Sequence, residues 1–303
     1  MMQNNKKKLS ILVPVYNEKD SIELFFERIN KVIKRIVSEY EVGLYFLNNC
    51  SSDDSLEIIK NLKSDIFEIK YLTYSKNLGY QASLYGGLSN IKSDLFFIVD
   101  VDAEDPPEML IDFLEKYKQG FKIVYGKRKD RHEFVLIKLL RKLYYRTVHF
   151  IADHEFVKDM AEFSLFDNQV KEIILKNNNN SPFIRTEIGF AGFKRYGIEY
   201  KRDKRIAGKS NYFITSPNFV IASIISTTSF PLRLIAYTNI LIFIYYILHY
   251  FFMPSLIFNS DLLLIILMLE FGILAVYNAR IYKNQISRPI FIIDHKNSNI
   301  NNE

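Results

Sequence analysis

Cysteine is almost absent: Cys50 stands alone in 303 residues, so neither an intrachain disulfide framework nor a cysteine-rich zinc module can be built. Glycine and proline are scarce, at 11 and 8, which excludes collagen-like repeats and low-complexity disorder. Tryptophan is missing, yet 25 Phe and 20 Tyr help bring the hydrophobic share to 49%, enough for a sizeable core. An even spread of charge is lacking as well. Residues 1–125 hold 16 Lys/Arg against 19 Asp/Glu, whereas residues 126–303 hold 24 against 15. The net charge of +6 is therefore the sum of an acidic first part and a basic second part, and a polarity of this kind needs a cause other than nucleic-acid binding.

Two apolar runs near the C-terminus supply one. Leu234 to Met253 carries no formal charge over about 20 residues, enough to cross a bilayer core of roughly 30 Å. A second run, Leu256 to Ala279, is interrupted by Asp261 and by Glu270, which is expected to be paired across a helix interface. Arg233 precedes the pair, Arg280, Lys283 and Arg288 follow it, and the connector Pro254 to Asp261 has no Lys or Arg. The positive-inside rule then predicts a multi-pass hairpin in a bacterial inner membrane with both termini cytoplasmic. The N-terminal MMQNNKKKLS leads into a strand rather than an apolar segment, so no signal peptide is expected. The expected organisation is a domain over 1–212, an interfacial segment over 213–232, two spans within 233–280 (234–253 and 256–279), and a cytoplasmic tail over 281–303. The stretch 134–151 interleaves Lys138, Arg141, Lys142 and Arg146 with apolar residues, as an amphipathic helix on an anionic leaflet does.

The first 125 residues alternate strand and helix patterns. Strands are predicted over 9–16, 43–48, 68–74 and 94–100, with helices over 21–38, 55–62 and 80–88. Near-continuous apolar strands separated by helices imply an α/β fold, a mostly parallel sheet covered on both faces. Ligands of such sheets sit at the carboxyl ends of the strands. Polar clusters lie at three of these ends: Pro14-Val15-Tyr16-Asn17-Glu18, Asn48-Asn49-Cys50-Ser51-Ser52-Asp53, and Asp100-Val101-Asp102-Ala103-Glu104-Asp105-Pro106-Pro107-Glu108. Acidic side chains at 100, 102 and 104 can converge on a hard cation, Mg²⁺ or Mn²⁺, while Asp105, Pro106 and Glu108 fit the cap of the next helix.

With PVYNE, the acidic run DVDAEDPPE, NLGYQASLYGGL (77–88), the basic loop GKRKDR (126–131), RIAGKSNY (205–212) and the tail YNARIYKNQISRPIFII (277–293) in this order, the chain resembles glycosyltransferase family 2, in its polyprenyl-phosphate branch. The resemblance implies a GT-A fold, a Rossmann-like catalytic domain, with a UDP- or GDP-hexose donor, a polyprenyl (undecaprenyl) phosphate acceptor and a divalent metal. It places metal ligands on Asp100, Asp102 and Glu104. Nucleotide-sugar contacts fall on Pro14, Tyr16, Glu18, Asn48, Asn77, Asp100 and Ser210. Three departures stand out: Asn48-Asn49-Cys50-Ser51 for Asp-Asp-Gly-Ser, Glu162-Phe163-Ser164-Leu165 for Asp-Phe-Arg-Leu, and Glu104 for Gln.

The chemistry follows from the substrates. A phosphate monoester has a second pKa of about 6, so a lipid phosphate oxygen is already a nucleophile at neutral pH. The protein has to align two anions and neutralise a departing diphosphate, and direct attack inverts the anomeric carbon. Asp102 and Arg205 are the expected catalytic groups, with Glu162 orienting acceptor or sugar. Arg128 and Arg131 are the expected clamps for the lipid phosphate. Two other readings stand beside this one: a family 2 transferase acting on a saccharide hydroxyl, with Glu162 as base, and a non-catalytic binder. Small residues in the second span, Gly272 and Ala275, permit a homo-oligomer.

Overall fold

Nine residues, Lys7–Val15, form the first strand, β1, and their side chains alternate between two apolar layers. Leu9, Ile11, Val13 and Val15 enter one layer, and Leu12 enters the other. A strand buried on both faces needs no polar side, which is why its sequence reads as a continuous apolar run. The computed structural model describes residues 6–129, 157, 160–177, 182–208, 228–252 and 260–300. These residues form two compact units, one built from those before 216 together with 289–300, the other from 228–288.

In the first unit β1 is followed by α1 (Lys19–Ile36), β2 (Tyr40–Asn48), α2 (Ser55–Asn61), β3 (Glu68–Thr73), α3 (Tyr80–Asn90), β4 (Leu95–Ile98), a short 3-10 turn (Pro107–Met109), α4 (Leu110–Lys118) and β5 (Ile123–Lys129). After the undescribed stretch come β6 (Met160–Asp167), α5 (Asn168–Lys176), α6 (Ile184–Phe190) and β7 (Arg195–Lys201). The described strands lie in the order β3-β2-β1-β4-β6-β5-β7. Pairings β1 with β2, β1 with β4, β2 with β3 and β5 with β7 are parallel, and β6 runs antiparallel to β4 and β5. This is the mostly parallel GT-A sheet expected from the sequence.

Helix α1 buries Ile22, Phe25, Ile29, Ile33 and Ile36 at helical spacing against the first layer. Leu84 and Leu88 of α3 enter the second layer with Phe96, Ile98 and Phe166. The basic segment expected as a loop at 126–131 is instead strand as far as Lys129, because the backbone ladder with β7 continues to Lys201, and Lys127 and Lys129 flank Glu199 on that neighbour (2.9 and 3.5 Å). Arg131, Ser210, the amphipathic stretch 134–151 and the juxtamembrane segment up to 227 lie outside the described residues.

The second unit contains α7 (Phe230–Phe252) and α8 (Ser260–Ile286), both long and apolar enough to cross a membrane. Within their most apolar windows the buried share is 0% and 6%, so among the described residues neither is covered as the core helix of a domain is. Leu241, Phe243 and Tyr250 stand exposed, as lipid-facing side chains do. Glu270 is buried, and its carboxylate accepts hydrogen bonds from the Thr238 hydroxyl and from Asn239 Nδ2 (2.9 Å), the cross-helix pairing expected of a carboxylate in an apolar run. Helix α8 continues past the expected end of the span at 279, so Arg280 and Lys283 occupy its last turns. Hydropathy marks where an apolar segment ends; the backbone remains helical for as long as its hydrogen bonds can be made.

Candidate active site

The loops that leave β1, β2 and β4 each contain a non-glycine residue in left-handed backbone: Asn17 (φ 55°), Cys50 (φ 58°) and Ala103 (φ 51°). Such conformations cost free energy and gather where surrounding contacts over-determine the chain. Here the contacts are visible. Asn17 Oδ1 accepts from Ser52 N–H (2.8 Å), Asn17 N–H donates to Ser51 Oγ (3.0 Å), and Glu18 N–H donates to Ser55 Oγ (2.9 Å). The first loop is thereby locked onto the second.

Between these loops lies a cavity of about 320 Å³, lined by Pro14, Val15, Tyr16, Glu18, Asn49, Asn77, Gly79, Tyr80, Ser83, Asp100, Val101, Asp102 and Arg205. Seven residues chosen from the sequence meet there: Pro14, Tyr16, Glu18, Asn77, Asp100, Asp102 and Arg205. The guanidinium of Arg205 spans two of the loops. It forms an ion pair with both oxygens of Glu18, donates from Nη1 to Asp102 Oδ2 at 3.0 Å, and donates from Nε to the Ala207 carbonyl at 2.8 Å. Burial works to lower its pKa, but Glu18 and then Asp102 and Glu104 outweigh this and hold it above the ordinary arginine value.

Asp100 accepts from the Tyr80 hydroxyl (2.8 Å). Burial, followed by the nearby carboxylates Asp105 and Asp102, pushes its own carboxyl up to about 7 against the opposing pull of Tyr80. Three carboxylates, Glu18, Asp100 and Asp102, thus line one cavity with Arg205 as the cation among its lining residues.

Four sequence expectations are corrected. Asn48 does not line the cavity: it is 1% exposed, its Oδ1 accepts from Ser51 N–H (3.1 Å) and its Nδ2 faces Thr73 Oγ1 (3.4 Å). The neighbouring Asn49 lines it instead, donating to Asn77 Oδ1 (2.8 Å) and accepting from Leu78 N–H (2.9 Å). The convergence expected at 100, 102 and 104 is not formed, and among the described residues no three acidic, His or Cys side chains are placed to hold a metal. The left-handed turn at Ala103 separates Glu104 from the other two, and its carboxylate pairs with Arg202 Nη1 (2.6 Å).

Asp105 is not a helix cap. Its carboxylate is 2% exposed, accepts from Tyr200 Oη (2.6 Å) and forms an ion pair with Arg128 Nη2 (3.0 Å), while Glu108 binds Arg28 through two bonds (2.9 and 2.7 Å). Arg128, expected to clamp a lipid phosphate, is therefore occupied inside the domain, where Tyr200 Oη also accepts from its Nε (3.2 Å).

Glu162 at the start of β6 accepts from Gln81 Nε2 (3.0 Å). Gln81 Oε1 in turn accepts from Ile184 N–H (2.9 Å), which fixes the amide so that its donor end faces the carboxylate. Sequence reasoning set Asn49 beside Asn48 among the departures but chose Asn48 for the site, and it missed Tyr80 and Gln81. Tyr80 and Gln81 sit in the first turn of α3, directly after Gly79 in its left-handed backbone (φ 82°), and the turn glycine was the available signal.

Acidic and cationic side chains sharing a cavity at the carboxyl ends of parallel strands occupy the place where open α/β sheets take their ligands. The chain belongs to glycosyl transferase family 2, whose pattern matches residues 10–164, just over half of its length. It is similar to the uncharacterized glycosyltransferase YkcC of Bacillus subtilis (strain 168), 30% identical over 300 residues that cover 94% of this chain and 92% of the relative. It is likewise similar to the prophage bactoprenol glucosyl transferase homolog of Escherichia coli (strain K12), 28% identical over 304 residues, 94% of this chain and 98% of that one. Such whole-length relatives put the chain in the polyprenyl-phosphate branch of the family. Among solved structures, mannosyl-3-phosphoglycerate synthase from Rubrobacter xylanophilus matches 72% of each chain with a TM-score of 0.49 and 13% identity.

Proposed function

We propose that the protein is an inverting glycosyltransferase that moves a hexose from UDP or GDP to a polyprenyl phosphate, such as undecaprenyl phosphate, at the cytoplasmic face of a bacterial inner membrane. The observation that carries this reading is the cavity lined by Asp100, Asp102 and Arg205, in which Asp102 pairs with Arg205. The whole-length similarity to a bactoprenol glucosyl transferase homolog and the two apolar helices support the lipid acceptor.

An oxygen of the lipid phosphate attacks C1 of the sugar, the bond from C1 to the diphosphate breaks, and the nucleoside diphosphate departs with the electron pair. No base is needed to make that oxygen nucleophilic, because a phosphate monoester is largely dianionic above a pKa of about 6. Glu18 and Asp102 keep Arg205 charged and aimed into the cavity, where it neutralises the departing diphosphate. Asn49 and Asn77 hold the wall against which the nucleotide rests. Gln81 fixes Glu162, which orients acceptor or sugar. Arg131 and Ser210 keep their expected roles toward lipid phosphate and donor.

The surplus of carboxylate over cation at Asp100 and Asp102 suits a hard divalent ion. These two residues would hold Mg²⁺ or Mn²⁺, which when bound neutralises diphosphate charge. Full-length protein in detergent, given undecaprenyl phosphate, Mg²⁺ or Mn²⁺ and a panel of UDP- and GDP-hexoses, is expected to form a glycosyl lipid with at least one donor. No product with any donor sinks the enzymatic reading. For orientation, protease added outside intact cells should spare both termini, and cleavage of either from outside overturns the cytoplasmic placement.

A further inference from the structure

Strand β3 is the outermost described strand on its side of the sheet, and an uncovered edge leaves a row of backbone groups without partners. Residues 289–300, which follow α8 in the chain, cover it. Ser75 N–H donates to the Ile292 carbonyl (2.9 Å), Asp294 N–H donates to the Thr73 carbonyl (2.8 Å), and Tyr74 and Ile293 form an antiparallel bridge. Farther along, Thr73 N–H donates to Ser298 Oγ (2.9 Å) and Tyr71 N–H to Asn299 Oδ1 (2.6 Å). Phe291 packs on Tyr74 and Tyr85 with ring centroids 6.3 and 6.4 Å apart.

The residues held in this way lead directly to the cavity. Tyr74 is 1% exposed and donates its hydroxyl to the Ser83 carbonyl (2.5 Å). It packs so closely on α3 that a Cβ at Gly86 would lie 2.6 Å from its hydroxyl oxygen. Ser83 lines the cavity, as do Asn77 and Gly79 from the loop between Tyr74 and α3.

We propose that residues 289–300 act as a strap in which Phe291 is a positioning residue for the donor site: by fixing Tyr74 and Ser75, the strap holds the 75–79 loop and the first turns of α3 in the shape that receives the nucleotide sugar. This rests on the donor reading above. The strap touches none of the reacting atoms, so its loss acts through the cavity wall, raising the donor KM more than it lowers kcat.

Amide hydrogen exchange on the full-length protein in detergent, without substrate, tests it. In Phe291→Ala, exchange across residues 74–83 is expected to accelerate roughly tenfold while β1 and β4 keep their protection, and Phe291→Leu should largely restore the wall. For the donor identified by the panel, KM should rise in Phe291→Ala with kcat nearly unchanged. Unchanged exchange at 74–83, equal acceleration in β1, or an unchanged donor KM each overturns the proposal. Should Phe291→Ala fail to fold, Asn299→Ala, which removes the side-chain hydrogen bonds to Tyr71 N–H and the Ile69 carbonyl and leaves the backbone bond to Tyr71, is read by the same criteria. A wild-type protein that uses no donor fails the nucleotide-sugar reading alone, because the exchange measurement needs no substrate.

Discussion

Replacing Asp102 by Asn is expected to lower kcat for sugar transfer by roughly 10³-fold while leaving the fold intact. The substitution keeps the shape of the side chain and removes its charge. The amide oxygen of the new side chain can still accept from Glu104 N–H, a bond of 3.1 Å in the native loop, so the left-handed turn at Ala103 retains its tie. The other carboxylate oxygen of Asp102 accepts from Arg205 Nη1, and an amide nitrogen in its place would oppose one donor with another. Arg205 keeps Glu18 but loses the partner that aims it into the cavity. With one carboxylate gone, part of the repulsion at Asp100 is removed, but burial and Asp105 still hold its carboxyl above the ordinary aspartate value. Because Glu18 still pairs Arg205, the loss of stability should be small, with a melting temperature within about 4 °C of wild type. Initial rates at saturating donor and acceptor, taken beside a thermal melt, check both halves. Activity within tenfold of wild type would remove Asp102 from the reaction.

How much of this was legible in the sequence depends on the range of the forces involved. Strands β1 to β4 and helices α1 to α3 were readable because each is specified by its own apolar pattern, as in Leu9, Ile11, Val13 and Val15 or in Ile22, Phe25 and Ile29. The polar clusters after β1, β2 and β4 were readable because topology sends such loops to one end of the sheet. Within those loops, local rules chose wrongly wherever a distant residue decided. Asp105-Pro106-Pro107-Glu108 carries a good capping signature, yet Asp105 answers to Arg128 and Tyr200, 23 and 95 residues away. Asn48 and Asn49 look equivalent on paper. One is turned inward to Ser51 and Thr73 and the other toward Asn77, a choice set by where the β2 pairing ends. The edge pairing of residues 289–300 was illegible because Phe291-Ile292-Ile293 is too short a run to announce a strand, and its partner β3 lies more than 200 residues earlier.

Replacing Arg128 by Met should destabilise the domain by about 2–3 kcal/mol, and it decides whether this arginine serves the fold or the lipid phosphate. Asp105 is 2% exposed, so removing Arg128 leaves a carboxylate with no water to take the place of its partner. Breaking such a pair usually costs roughly 3–5 kcal/mol, but two groups soften the loss here. Tyr200 Oη still donates at 2.6 Å, and Arg202 Nε lies 3.5 Å from the same oxygen, though Arg202 is itself 40% exposed and shared with Glu104. For a domain of this size the shift is about 4–12 °C in melting temperature. Methionine keeps the apolar stem that packs beside Tyr200, so the change isolates charge from volume. Adding Asp105→Asn to Arg128→Met removes the stranded charge and should recover more than half of the loss, because the two sites are coupled through one ion pair. The outcomes separate cleanly. A melting temperature equal to wild type, joined to a raised KM for the lipid acceptor, would return Arg128 to the phosphate; a large drop rescued by the double substitution, with the acceptor KM unmoved, fixes it as the internal counterion that holds the acidic turn against β5 and β7.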